Sequence, residues 1–311
     1  MTEHNSITVG IPRALLYHRY GAMWETYFQT LGVKTLLSPV TSRETVEVGS
    51  ALAIDETCLS AKIYLGHVQT LVGQCDQIFI PRYSNTGRHE IFCARFEAMY
   101  DQARSLFRDS GQRFISCNVD VMEDSYEAKA YEELGKALGF TSKAAKQAYT
   151  VALREQQKAW KAAVAAQELL YRKHGMKILV AGHSYILSDA YVGRPIFQAM
   201  EQMDVIPLRG DLVDRAAALR MSARFSPTLR WITNRELIGS VLLQEKDVDG
   251  IILVSAFPCG PDAMVNDLLI RRLKDKPILN LVMDGQSGTA GMETRLESFV
   301  DILRFQKGDV V

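Results

Sequence analysis

The sequence predicts an α/β protein made of two parallel-sheet domains joined by a long helix. Short runs of apolar and β-branched residues alternate with helix-length amphipathic segments along most of the 311 residues. That order is expected where strands pair in parallel and helices cover the faces of the sheet. The alternation breaks once, over 142–174, a stretch without Gly or Pro and rich in Ala, Gln, Lys and Glu. It resumes at Lys177-Ile178-Leu179-Val180-Ala181. The boundaries read as an N-terminal α/β domain over 1–141, a linking helix over 142–175 and a C-terminal α/β domain over 176–311. Both domains carry the rhythm of Rossmann/flavodoxin-like sheets.

In order, Ser6–Ile11 reads as a strand ended by Pro12, Leu15–Leu31 as a helix and Val33–Leu37 as a second strand. Ser42–Leu52 and Leu59–Val72 read as helices, and Gln77–Ile80, bounded by Pro81, as a buried strand. Arg82–Ile91 reads as an irregular loop, Cys93–Phe107 as a helix, Arg113–Cys117 as an edge-like strand and Tyr126–Leu138 as a helix. In the linking segment Tyr149, Leu153, Trp160, Val164 and Tyr171 recur at steps of four and seven, one apolar stripe ending before Gly175. The stripe covers too few heptads to favour a coiled coil. Beyond it, strands are expected at Lys177–Ala181, Val205–Leu208, Gly250–Ser255 and Pro277–Met283. Helices are expected at Leu187–Met203, Asp211–Leu219, Asn234–Gln244, Asp262–Leu273 and Thr289–Phe305.

Composition narrows the function. Lys plus Arg and Asp plus Glu both total 36, so the chain lacks the basic footprint of a nucleic-acid binder. No apolar run approaches the ~20 residues that span a bilayer, and the N-terminus shows no basic region followed by an apolar stretch. A cytoplasmic protein without membrane or nucleic-acid partners is expected.

The five cysteines are Cys58, Cys75, Cys93, Cys117 and Cys259, with no CxxC pair among them. An odd number in such a chain argues against a disulfide framework. Ligands of open α/β sheets collect on the loops beyond the carboxyl ends of the strands. Cys58, Cys93 and Cys259 fall there, each opening a helix, where backbone N–H groups stabilise a thiolate. Cys75 sits in a helix-to-strand turn and Cys117 ends a strand. Position alone leaves two readings of the three, a metal-ligating set or inert packing residues.

Several segments, in order, carry a family resemblance. They are Val9-Gly10-Ile11-Pro12-Arg13-Ala14-Leu15, Asp55-Glu56-Thr57-Cys58-Leu59, Gly66-His67-Val68 and Phe79-Ile80-Pro81-Arg82. Gly182-His183-Ser184-Tyr185, Ser255-Ala256-Phe257-Pro258-Cys259-Gly260-Pro261-Asp262 and Ala290-Gly291-Met292-Glu293-Thr294-Arg295-Leu296-Glu297 follow. Together they resemble the 2-hydroxyacyl-CoA dehydratase superfamily, in its dehydratase-component-like or CoA-substrate-specific enzyme activase branch. The resemblance implies an oxygen-sensitive [4Fe–4S] cluster held by three cysteines between α/β domains, with Cys58, Cys93 and Cys259 at the matching positions. It implies an anaerobic electron-transfer role. Electrons would come from an actin-like ATPase activator with its own cluster, and a second dehydratase-like subunit or a homodimer could complete the assembly. In dehydratase relatives the electron passes to a CoA thioester, and the resulting ketyl radical allows loss of an unactivated hydroxyl. Three thiolates would leave one iron open, with a potential tuned by charge, hydrogen bonds and exposure.

The sequence departs from the family pattern in places. Asp284-Gly285-Gln286-Ser287-Gly288-Thr289-Ala290-Gly291 stands where the family carries Asp-Glu-His-(Ser/Thr)-Gly-Glu-Ala-Gly, so two acidic residues and a histidine are missing. Ser60-Ala61 replaces a common Pro-Val, and Ala94 a common Pro. The resemblance therefore carries cluster binding further than dehydration.

Other residues have two readings each. Arg13 closes the first strand and offers either a forked cation to an anionic ligand or a surface ion pair. His183 either faces a cluster or substrate at the carboxyl edge or neighbours a helix cap at Ser184. Gly285, Gly288 and Gly291 form G-x-x-G-x-x-G, a tight turn or a loop presenting N–H groups to a cofactor. No GxxxxGK[ST] occurs, so nucleotide hydrolysis is not expected. His89 and Glu90, just before Cys93, read as a solvated pair or as ligand and ligand support, and His67 as structural. Arg224–Trp231 is a weak candidate partner surface. The reading that emerges is a [4Fe–4S] redox protein serving a CoA thioester, another small acceptor or a paired subunit. The alternative is a non-catalytic zinc- or cluster-binding scaffold subunit, with a Cys₃His site through His89.

Overall fold

The computed structural model describes residues 7–285 and 289–308, the side chains of 289 and 290 excepted. The chain forms two compact units, Met1–Trp160 with Arg230–Ile232, and Lys161–Leu229 with Thr233–Val311.

The first unit holds β1 (Thr8–Ile11), α1 (Tyr17–Thr30), β2 (Lys34–Leu37), α2 (Arg43–Leu52), α3 (Leu59–Leu71) and β3 (Gln77–Phe79). It continues with β4 (Arg82–Gly87), β5 (Glu90–Ile91), α4 (Ala94–Leu106), β6 (Arg113–Ile115), β7 (Asn118–Asp120), α5 (Glu127–Ala137) and the first part of α6 (Ser142–Tyr171). Its main sheet is fully parallel in the order β2-β1-β3-β6. Val9, Ile11, Ile78 and Phe79 fill its middle, and Trp24 and Phe28 of α1 close edge-on against Phe79 at 5.3 Å. Aromatic pairs in that geometry add to their area burial.

The second unit holds β8 (Lys177–Ala181), α7 (Ser184–Leu187), α8 (Arg194–Gln202), β9 (Ile206–Arg209), α9 (Arg215–Phe225) and α10 (Ile232–Gln244). It ends with β10 (Gly250–Ala256), α11 (Gly260–Arg272), β11 (Ile278–Met283) and α12 (Thr289–Lys307). Its sheet is also parallel, ordered β11-β10-β8-β9. β10 is buried at every position, as expected for a central parallel strand covered on both faces. Each sheet therefore runs second-first-third-fourth in its own strand order, which puts a topological switch point between its first and third strands. The parallel α/β prediction holds in both units. Among the described residues, no helix is long and apolar enough to cross a membrane.

The structure corrects several local expectations. Arg82–Ile91 is not irregular: β4 pairs antiparallel with β5 and parallel with β7 in a small second sheet. Tyr83 and Asn85 are the buried positions of β4, but the run Arg-Tyr-Ser-Asn-Thr-Gly is too polar to show an apolar period. In α6 the fully buried positions are Ala145, Ala148 and Ala152, while Tyr149, Leu153, Trp160, Val164 and Tyr171 are half-buried. Close approach favours the small side chain, so the large residues flank the contact. The helix α9 begins at Arg215 rather than Asp211, because the Asp214 side chain accepts from the Ala217 N–H at 2.6 Å and caps it. Part of the candidate surface at Arg224–Trp231 is used internally, since the Arg230 carbonyl accepts from the Ile91 N–H at 3.1 Å and Trp231 bridges Ile91.

Candidate functional site

In the first unit the chain leaves β1 through Pro12 and Arg13 at the carboxyl edge of the sheet. The Arg13 N–H donates to Ser38 Oγ at 2.8 Å, and the Arg13 side chain reaches Tyr17, whose burial and bond to Glu25 push its hydroxyl up to about 12. Ser38 Oγ also meets His67 Nδ1 at 2.8 Å, and Thr41 Oγ1 meets His67 Nε2 at 2.9 Å. His67 is thus structural, tying α3 to the turn after β2. Burial first, then the nearby His18 and Arg13 charges, lower its pKa from 6.5 to about 3. The folded state keeps His67 neutral where the unfolded chain protonates it. Stability attributable to this group is therefore fully present above pH 6.5 and lost as pH falls towards 3, at roughly 1.4 kcal/mol per pH unit. His67→Gln is expected to flatten that part of the urea-unfolding stability profile; an unchanged slope between pH 6 and pH 4 would contradict the assignment.

Cys58 and Cys93 are the N-cap residues of α3 and α4. Their carbonyls accept from first-turn N–H groups, Ala61 and Lys62 for Cys58 and Phe96 for Cys93, so both thiols stand beside a helix N-terminus. Both are half-buried. Cys58 follows the turn Ile54–Thr57, which Lys62 Nζ braces at the Asp55 carbonyl, 3.1 Å. Cys93 follows Phe92, fixed by its N–H to the Ser84 carbonyl at 2.9 Å and by the Tyr83 ring at 5.5 Å. Thr57 Oγ1 and Ser84 Oγ are buried and have no hydrogen-bond partner among the described residues. One adjoins Cys58 in sequence, and the other shares its residue with the carbonyl that holds Phe92.

In the second unit Cys259 is the N-cap of α11, just beyond β10, and is half-buried. His183, beyond β8, is itself the N-cap of α7, displacing the expected cap at Ser184. Its Nε2 meets Asp262 Oδ1 at 2.8 Å, its ring stacks on Tyr185 at 5.0 Å, and Asn234 Nδ2 donates to the same carboxylate oxygen at 2.8 Å. Burial lowers the His183 pKa, but the Asp262 charge and hydrogen bond outweigh it, with Glu236 and Asp211 adding, and the net shift is upward. Asp262 is held below its ordinary value against its own burial by His183, by Asn234 and by a hydrogen bond from Cys259. The switch point of this unit thus carries a buried His–Asp pair beside the Cys259 thiol. Asp262 and Asn234 escaped the sequence reading as site residues. An Asp in a first helical turn reads as a dipole partner, and nothing in the sequence joins Asn234 to it.

The other two cysteines are of a different kind. Cys117 is buried, and burial drives its thiol far above the ordinary range. Cys75 Sγ donates to the Gln77 and Leu71 carbonyls at 3.4 and 3.6 Å, and burial raises it too. Neither has the thiolate character that ligation requires. His89 is exposed at the β4–β5 turn, while Glu90 accepts from Thr86 Oγ1 at 2.8 Å. Gly285 is exposed, Gly291 lies in the first turn of α12, and Gly288 falls outside the described residues.

All five cysteines are thiols in this structure. Among the described residues, no three His, Cys, Asp or Glu side chains are gathered as a metal-holding group. The donor chemistry nonetheless fits a soft metal group. Three half-buried thiols stand at helix N-caps, and the buried hydroxyl of Thr57, next to Cys58 in the chain, has no partner among the described residues.

The family model described as CoA enzyme activase uncharacterised domain (DUF2229) matches residues 8–213. The chain belongs to that family. The motif resemblance to the 2-hydroxyacyl-CoA dehydratase and activase group is thereby borne out. The span matched by this CoA enzyme activase family includes Arg13, Cys58, Cys93 and His183, and ends before Cys259. No match is found among curated proteins. Among solved structures, the SBP FpvC of P. aeruginosa in complex with Ni²⁺ is 13% identical over 99% of both chains, with a TM-score of 0.30. FpvC in complex with Mn²⁺ is 12% identical over 96% of this chain and 98% of that one, also at 0.30. Likenesses at these scores carry no argument about fold or function.

Proposed function

We propose that this member of the CoA enzyme activase family is an iron–sulfur redox component of a CoA-substrate dehydratase-type system, with Cys58, Cys93 and Cys259 supplying thiolates to a [4Fe–4S] cluster. The observation that carries the reading is the division of the cysteines. Three half-buried thiols cap helices, while Cys75 and Cys117 are held as neutral thiols by their surroundings. Family membership supplies the CoA-linked context. Such a cluster, when bound, supplies one-electron transfer at low potential.

The chain's own residues would do the rest. The N-termini of α3, α4 and α11 offset the charge of the thiolates. The His183–Asp262 pair fixes the start of α11 through the Asp262 contact with Cys259. Arg13 would supply a cation at the carboxyl edge of the first sheet for an anionic portion of a substrate, and the backbone of Gly285, Gly288 and Gly291 is a second candidate for that task. Electrons would arrive from an actin-like ATPase activator carrying its own cluster, and leave to a CoA thioester, another small acceptor or a paired subunit.

Anaerobic purification with metal analysis, absorption and EPR spectroscopy tests the reading. A brown protein containing iron and acid-labile sulfide, bleached by air, is the expected result. A colourless protein holding stoichiometric zinc would replace the redox reading with a scaffold one. Reduction by the activator at equal rates with and without ATP would remove the activator from the scheme.

A further inference from the structure

Asp262 is a buried carboxylate turned towards a proposed ligand. It stands in the first turn of α11, just after the Cys259 N-cap, and is 2% exposed. An acidic side chain in a first helical turn gains from the helix dipole at the surface, without need of burial. Asp262 meets three side chains. Its Oδ1 lies 2.8 Å from His183 Nε2 and accepts from Asn234 Nδ2 at 2.8 Å, and the Cys259 thiol donates to the same carboxylate. His183 and Asn234 are buried with it.

A buried charge is costly unless it is paired and hydrogen-bonded. Here the partners hold the carboxylate below its ordinary pKa against its own burial, and its charge in turn raises that of His183. The neighbouring acids are neutralised elsewhere, Glu236 by Arg215 and Asp211 by Arg209. Asp262 is opposed by the His183 imidazole. Of its three donors, Cys259 alone would be lost on ligation, because a metal takes the thiolate and the proton leaves to solvent. His183 and Asn234 remain and keep the carboxylate in place. The ligand sulfur then faces a fixed negative charge with no proton between them. Such a charge disfavours the gain of an electron and so lowers a cluster's potential, and burial strengthens the effect.

Resting on the cluster assignment above, we propose that Asp262 sets the reduction potential of the cluster by holding its carboxylate against the Cys259 sulfur, and that His183 limits the effect by opposing that charge. Asp262 is in this sense a positioning residue, acting through Cys259 and not as a ligand. Asn234, which is neutral, orients the carboxylate.

The full-length protein, reconstituted anaerobically, poised electrochemically with mediators at pH 6 and followed by EPR, gives the potential directly. At that pH His183 carries its proton, since its pKa is raised from 6.5. Asp262→Asn keeps the shape and removes the charge. It is expected to favour the reduced cluster about tenfold or more, a rise of about 59 mV for a one-electron couple. His183→Gln keeps a hydrogen-bond donor but loses the cation, and is expected to lower the potential. A merely structural role predicts no such opposition, because loosening the start of α11 would shift both variants in one direction. Full iron content with an unmoved potential in Asp262→Asn, or shifts of one sign in both variants, would overturn the proposal and leave the cluster assignment standing. If Asp262→Asn fails to fold, His183→Gln decides alone, and an unchanged or raised potential there overturns the proposal. Wild-type protein that holds no iron would overturn the cluster assignment itself, and the proposal with it.

Discussion

Replacing Cys58, Cys93 or Cys259 by Ser is expected to reduce bound iron to a small fraction of the wild-type content under anaerobic reconstitution. Serine keeps the size of the side chain but offers a hard hydroxyl that is not ionised at neutral pH, whereas an iron–sulfur cluster is held by soft thiolates. Each of the three replaces the residue immediately before a helix, so the backbone need not change, and Ser is itself a good N-cap. Folding should therefore survive the substitution, and lost iron would report ligation rather than collapse. The controls carry the argument. Cys75→Ser leaves a donor within reach of the Gln77 and Leu71 carbonyls, and a penalty of about 0.5–3 kcal/mol is expected with full iron content. Cys117→Ser puts a hydroxyl into a fully buried site at a cost of roughly 1–3 kcal/mol, again with iron retained. Iron loss in either control with full retention in Cys58→Ser would remove the ligand assignment.

The parallel sheets are legible in the sequence because their strands are strongly apolar. β8 and β10 announce themselves in Lys-Ile-Leu-Val-Ala and Gly-Ile-Ile-Leu-Val-Ser, whereas the order second-first-third-fourth comes from the structure, because successive βα units are compatible with several strand orders. The small β5-β4-β7 sheet was not legible, because its strands are short and polar and their pairing depends on partners far away in the chain. In α6 the periodicity located the helix and residues that touch their neighbours, Tyr149 on Tyr131 and Tyr171 on Gln244, but it passed over Ala145, Ala148 and Ala152, since alanine carries little weight in an apolar stripe and much in a close approach.

The candidate site divides in the same way. That Cys58, Cys93 and Cys259 open helices could be read from local pattern, and all three are N-caps. That His183 would seek Asp262 and that Asn234 would share the same oxygen could not. Each depends on which side chains meet when distant loops reach one sheet edge, a three-dimensional outcome with no signature in spacing.

Gly66→Ala is expected to destabilise the first unit by about 3 kcal/mol or more, and Gly49→Ala by a similar amount. A Cβ at Gly66 would lie 2.1 Å from the Thr45 carbonyl oxygen, and one at Gly49 would lie 1.8 Å from that of Lys62. Both clashes are with backbone across the α2–α3 contact, so no rotamer change relieves them and the two helices must separate. Alanine in place of glycine raises helix propensity by up to about 1 kcal/mol, which opposes the effect, but overpacking of a rigid contact typically costs 1–3 kcal/mol and sometimes more. The sign follows from backbone atoms being the obstacle. Gly291→Ala in α12 provides the contrast, because among the described residues nothing lies within 4 Å of its Cβ position, and the propensity gain there is expected to prevail. Urea unfolding of the three variants reads this directly. Gly66→Ala with wild-type stability would mean that α2 and α3 are not in backbone contact. Since α3 begins at Cys58 and carries His67, the same separation would shift the thiol and loosen the bonds of His67 to Ser38 and Thr41. Gly66→Ala should accordingly also flatten the acid side of the stability profile that His67 controls, which ties the helix contact to the carboxyl edge of the first sheet.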